Sequence, residues 1–89
     1  MEFEWDPAKR EANLAKHRID FIQASELFDG RPVWTARSTY SDEARYLTTG
    51  VIEERFVKVV WTRRNQAIHI ISARRARDGE RRAYHTLFG

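Results

Sequence analysis

Residues 56–73 read FVKVVWTRRNQAIHIISA, two apolar segments joined by a short polar loop. In 56–61 and 67–71, six of eleven residues are β-branched and only Lys58 and His69 interrupt the apolar run. Such residues lose side-chain freedom in a helix and pack well on a pleated surface, so both segments predict strands with most of their surface buried. The connecting residues 62–66 contain neither Gly nor Pro, which predicts an antiparallel hairpin with a longer turn rather than a two-residue one. The hairpin also distributes arginines. Arg63 and Arg64 stand at its tip, Arg74 and Arg75 leave its far end, and Arg77, Arg81 and Arg82 follow.

The 89 residues suit one small domain with a single core, and 42% hydrophobic with 33% charged residues is a globular composition. Three Trp, three Tyr and five Phe supply large side chains for that core. No 18-residue apolar run and no basic-then-apolar leader is found, so the reading expects neither a membrane span nor a secretory signal. The absence of cysteine excludes disulfides and thiolate zinc sites and agrees with a cytoplasmic setting. The net charge of +3 is unevenly spread. Residues 1–55 carry eight Lys/Arg against eleven Asp/Glu, and residues 56–89 carry eight against two. A basic cluster beside a rigid sheet is the footprint of a polyanion site, although it also fits a solvated basic face.

Around the hairpin the chain reads as α+β. Residues 3–5 alternate apolar and acidic and suit a short strand. Asp6-Pro7 then supplies an N-cap and a first helical residue that needs no N–H partner, which predicts a helix from Pro7 to about His17 with Ala8, Ala12, Leu14 and Ala15 on its packing side. Asp20 and Gln23 resemble a capping box for a second helix over 21–28, with Phe21, Ala24, Leu27 and Phe28 facing the core and Gly30 as the stop. Residues 33–37 and 45–51 predict two more strands around a polar loop over 38–44, giving a sheet of about four antiparallel strands. Asp78 is the expected cap of a C-terminal helix whose apolar side holds Tyr84, Leu87 and Phe88. Two N-terminal helices, an antiparallel meander and a last helix make an α+β domain.

The four glycines are scattered, which excludes a phosphate-cradling glycine loop, and no histidine or carboxylate spacing indicates a metal or another cofactor. Arginine chemistry on a phosphate remains. Cutting RNA without a metal needs a group to activate the 2′-hydroxyl, a donor to the leaving oxygen, and cations for the charge that builds on phosphate. Arginine suits the last role, being planar and always charged. Arg64, Arg74, Arg81 and Tyr84 are the candidate catalytic residues, with His17 as general base or acid; Lys16, Arg63, Arg75, Arg77 and Arg82 are candidates for binding RNA. The strand end at Arg74 and the helix carrying Arg81 and Tyr84 are placed to converge, whereas Arg64 joins them only if the hairpin tip folds over the sheet. Each arginine alone reads more readily as a surface ion pair, His17 reads equally as a helix-end residue bonded to a carbonyl, and His69 reads as a half-buried structural residue.

Asp6-Pro7, Lys9, Asn13, Lys16-His17, Phe21, Ala24 and Phe28-Asp29, then Thr62, Arg64, Ile70-Ile71-Ser72-Ala73-Arg74, Ala76, Glu80-Arg81 and Tyr84, together resemble the BrnT family of bacterial toxins, in order and over nearly the whole chain. The resemblance implies a RelE-like fold and the ribonuclease half of a type II toxin–antitoxin module. It implies a ribbon-helix-helix antitoxin, BrnA, as partner, in a 2:2 assembly whose binding to operator DNA belongs to the antitoxin. The family usually has Gly where Arg18 stands, often Arg at His69, and Thr or Ser at Arg77. The other class the residues allow is a non-catalytic nucleic-acid or protein-binding module on the same fold.

Overall fold

The computed structural model describes residues 1–38 and 43–89. In chain order it contains β1 (Phe3–Glu4), α1 (Pro7–His17), α2 (Phe21–Ala24) continued as a 3-10 turn (Ser25–Phe28), β2 (Trp34–Ser38), β3 (Arg45–Ile52), β4 (Arg55–Arg64), β5 (Ala67–Arg75) and α3 (Asp78–Phe88). The architecture is α+β, as the sequence predicts. The sheet has five strands in the order β1-β5-β4-β3-β2, because residues 3–4 join the edge of β5 in parallel, with Phe3 opposite Ile68 and Glu4 opposite His69. The other pairings are antiparallel. Of the polar loop expected over 38–44, residues 39–42 lie outside the described residues.

The central hairpin is longer and its turn tighter than the sequence indicated. Pairing runs out to Arg64 opposite Ala67, so only Asn65 and Gln66 turn the chain, with φ of 50° and 70°. Glu53 and Glu54 do the same between β3 and β4, at φ 48° and 67°. Positive φ at both central positions is what a type I′ turn requires and what matches the twist of paired strands. Ladder pairing therefore imposes, at three residues other than asparagine, a backbone that favours Asn and Gly. Between Val60 and Trp61 the register slips by one residue, leaving Ile71 as a bulge in β5.

Alternation along the strands defines two faces. Val57, Val59 and Trp61 of β4 and Ile68, Ile70 and Ala73 of β5 are buried against Ile19, Phe21, Ala24 and Leu27. The Trp61 ring meets Phe28 edge-on at 5.2 Å and stacks on Tyr46 at 4.7 Å, while its Nε1 donates to Thr48 Oγ1 at 2.8 Å. Gly50 lets β3 approach the 3-10 turn. A Cβ there would stand 2.7 Å from Leu27 Cδ2 and 2.9 Å from Val33 Cγ1.

The helix ends repeat the expected signals with substitutions in detail. Asp6 accepts from Ala8 N at 2.9 Å and starts α1, and Asp20 accepts from Ile22 N at 3.1 Å and starts α2. Gln23 does not complete a capping box; it donates to Glu53 instead. The alanines and Leu14 of α1 are exposed, and the residue turned inward is Asn13. Its carboxamide accepts from Ala73 N at 3.0 Å and donates to Ala73 O at 2.8 Å and to Ile19 O at 3.0 Å. Asn13 thus serves as the missing neighbour strand where β1 has ended, so α1 docks through hydrogen bonds rather than through a small apolar face. Arg18 ends α1 at φ 59° and ψ 30°, the left-handed conformation glycine adopts most cheaply. In α3 the N-cap is Arg77, not Asp78, and its N–H donates to Glu80 Oε1 at 2.7 Å. Of the expected apolar trio, Tyr84 is half-buried and Phe88 lies against its ring at 4.8 Å, while Leu87 and Phe88 remain 57% and 46% exposed.

Candidate active site

The sheet face away from α1 and α2 carries the alternate residues: Lys58, Val60, Thr62 and Arg64 on β4, and His69, Ser72 and Arg74 on β5. Polar and charged side chains collect at its two ends. Lys58 to Arg64 is six residues, roughly 20 Å at a strand rise of ~3.3 Å per residue. Arg64 and Arg74 therefore share a face without sharing a site.

At the end under α3, Arg74 stands opposite Lys58 in register, and Glu80 descends on both. Glu80 accepts from Arg74 at 3.0 and 2.9 Å, from Lys58 Nζ at 2.5 Å, and from the Arg77 N–H. Although burial pushes the Glu80 carboxyl up, the Arg74 guanidinium, the Arg77 N–H and Lys58 outweigh it and hold the group down at about 2. The sequence placed Arg74 at a strand end leading to solvent. Its side chain is only 20% exposed and is committed to Glu80. Arg81 lies over the Phe56 ring at 5.0 Å, and Tyr84 meets that ring edge-on while its hydroxyl donates to Pro32 O at 3.3 Å. A shallow depression beside them is lined by Glu54, Phe56, Arg75, Ala76 and Arg81. Arg77 and Arg82 are exposed on or beside α3. Of the three residues expected to converge, Arg74 is ion-paired to Glu80 while Arg81 and Tyr84 pack on Phe56.

The other end gathers residues from β1, β4, β5 and the approach to β3. Arg64 Nε and Nη2 donate to the two oxygens of Glu43 at 2.9 and 3.0 Å, a bidentate pair that holds the Glu43 carboxyl below its usual range. The Arg64 Nη1 lies 3.4 Å from His69 Nε2, and His69 Nδ1 lies 3.1 Å from Glu4 Oε1. Arg45, whose charge also lowers the Glu43 carboxyl, has its Nε buried with no partner among the described residues. Arg63 points to the opposite face, its guanidinium 5.9 Å from the Trp61 ring.

His17 and Lys16 close α1 on the β5 edge, lining a shallow recess with Lys9, Asn13, Ile71 and Ser72. No described contact joins His17 to any of the candidate arginines. The sequence pattern does not single out Glu4, Glu43 or Arg45, and by it His69 reads as structural. The usable signal was period two. Lys58 and His69 are the only polar interruptions of 56–61 and 67–71, and both sit between inward-facing residues, so both fall on the sheet face away from α1 and α2.

Fold and site define a small, basic α+β protein whose open sheet face places a histidine, two carboxylates and guanidinium groups together. A family model for the ribonuclease toxin BrnT of type II toxin–antitoxin systems matches residues 5–80. The chain belongs to that family of ribonuclease toxins, and membership of a type II toxin–antitoxin system implies an antitoxin partner. Among curated proteins, none matches the chain.

Proposed function

We propose that this chain is an endoribonuclease that cuts RNA without a metal ion and so arrests translation, and that a BrnA-like ribbon-helix-helix antitoxin holds it inactive. The observation that carries this reading is the end of the sheet face away from α1 and α2, where Arg45 and Arg64 stand on adjacent strands beside His69. Fixed guanidinium groups supply the positive charge that a phosphate undergoing substitution needs, the role a divalent cation would otherwise fill. Arg81 with Arg75, Arg77 and Arg82 extends a positive field along the last third of the chain, with Tyr84 beside it, and Lys16 on α1 and Arg63 on the opposite sheet face add to the charge that draws in a polyanion.

Silencing such a surface takes a partner that covers the arginines. The exposed Leu87 and Phe88 at the end of α3 offer apolar anchors beside that charge. Ribbon-helix-helix antitoxins dimerise, so the reading includes a 2:2 assembly, cytoplasmic, in which operator DNA is held by the antitoxin alone. The test is incubation of the purified chain with RNA in EDTA over a range of salt. The reading expects cleavage in EDTA and RNA affinity that falls steeply with salt. Cleavage that appears only when Mg²⁺ or Mn²⁺ is added would overturn the metal-free mechanism.

A further inference from the structure

His69 sits between Ile68 and Ile70, both buried, so strand alternation turns its imidazole onto the open face, where it is 17% exposed. Its two nitrogens have different neighbours. Nδ1 is 3.1 Å from Glu4 Oε1, and Nε2 is 3.4 Å from Arg64 Nη1. A neutral ring that donates its Nδ1 proton to Glu4 carries its lone pair on Nε2, the nitrogen turned toward the arginine; a carboxylate behind an imidazole fixes tautomer and ring orientation in this way. Arg64 is 46% exposed, so it can trade its grip on Glu43 for a phosphate. Glu4, His69 and Arg64 come from three strands of one sheet, which fixes their spacing better than loops would.

We propose that His69 is the general base of RNA cleavage in this chain, with Nε2 taking the 2′-hydroxyl proton, Glu4 positioning the ring and Arg64 binding the phosphate under attack. The proposal rests on the ribonuclease reading and assigns its chemistry to this end of the sheet rather than to His17. As the 2′-oxygen bonds to phosphorus its proton passes to Nε2, the bond from phosphorus to the 5′-oxygen breaks, and the departing oxygen takes a proton from water. The products are a 2′,3′-cyclic phosphate and a 5′-hydroxyl end. Protonated His69 then returns its proton to solvent. The charged groups that set the pH response are Glu4 on β1, Arg64 on β4, and Glu43 with Arg45 on the β3 side.

The experiment measures cleavage of a labelled mixed-sequence RNA in EDTA against pH, for wild type, His69→Gln and Glu4→Gln, alongside binding of the same sequence in 2′-deoxy form. His69→Gln is expected to lower the rate about 100-fold or more, the usual scale for a lost general base, with binding of the deoxy strand and the folded circular dichroism unchanged. The acidic limb of the pH profile should disappear in His69→Gln and shift in Glu4→Gln, whose rate falls less; added imidazole should restore part of the rate to His69→Gly. A His69→Gln protein that cleaves at the wild-type rate with the wild-type profile overturns the proposal while leaving the ribonuclease reading intact. If His69→Gln does not fold, a Glu4→Gln protein with unchanged rate and profile overturns it equally. Wild type that cuts no RNA under any condition removes the ribonuclease reading itself.

Discussion

Glu80 is the point at which α3 is fastened to the sheet, and Glu80→Gln tests how much that fastening contributes. The carboxyl falls from an ordinary 4.5 to about 2 in the folded chain. At about 1.4 kcal/mol per unit, that depression corresponds to roughly 3 kcal/mol of stability at neutral pH. The side chain is 18% exposed, so solvent screens the pairs only weakly. Because the folded-state value lies below the unfolded one, the unfolded chain takes up protons first as pH falls. The contribution is therefore complete above about pH 5 and is lost progressively down to about pH 2. Glutamine keeps the shape but removes the charge, leaving Arg74 and Lys58 as unopposed cations on adjacent strands. Urea unfolding followed by tryptophan fluorescence at pH 7 should show a loss of about 2–4 kcal/mol, and the gap between the variant and wild type should narrow as pH drops through the window from 5 to 2. Adding Arg74→Met to Glu80→Gln should recover part of the loss, because it removes one stranded cation. A loss under about 0.5 kcal/mol at pH 7, or an undiminished gap at low pH, would refute the reasoning.

Arg74→Ala should itself destabilise by about 2 kcal/mol, since it strips Glu80 of its bidentate partner; a loss of activity in that variant is informative only beside its unfolding curve. Gly50→Ala should cost about 1–3 kcal/mol in the same assay, because the new methyl meets the buried Leu27 and the half-buried Val33, and a neutral result would show that β3 can move away from the 3-10 turn. Arg18→Gly should stabilise by about 1 kcal/mol and raise the thermal midpoint by several degrees, as glycine relieves the left-handed strain at the end of α1. In complex with its antitoxin, hydrogen-exchange protection is expected on β4, β5 and α3; protection confined to residues 1–38 would contradict inhibition by direct cover.

What could be read from the sequence was what local chemistry decides. Asp6-Pro7 marks the start of α1, the β-branched runs mark β4 and β5, and the stripe Phe21, Ala24, Leu27, Phe28 marks the helical side of the core. The readings that failed depend on tertiary pairing. Nothing in Asn65-Gln66 without glycine announces a two-residue turn, because it is the ladder continuing to Arg64 that forces those φ values. Nothing around Asn13 announces that its carboxamide completes the edge of a strand sixty residues away. The fate of the arginines was hidden for the same reason. Whether Arg74 points to solvent or to Glu80 depends on where α3 lands, and whether Arg64 neighbours a histidine depends on which strand lies beside it. His69 was visible as an interruption, and the parallel pairing that brings Glu4 beside it was not.

The most direct test of the account is the rate of RNA cleavage in EDTA by Arg64→Ala compared with wild type, with both proteins shown to be folded. If the Arg64 and His69 end of the open face does the chemistry, wild type cuts RNA and the variant is slower by about 100-fold or more, the cost of removing a group that stabilises charge on the phosphate. Equal rates for the two proteins, or no cleavage by wild type until a divalent cation is restored, would contradict it.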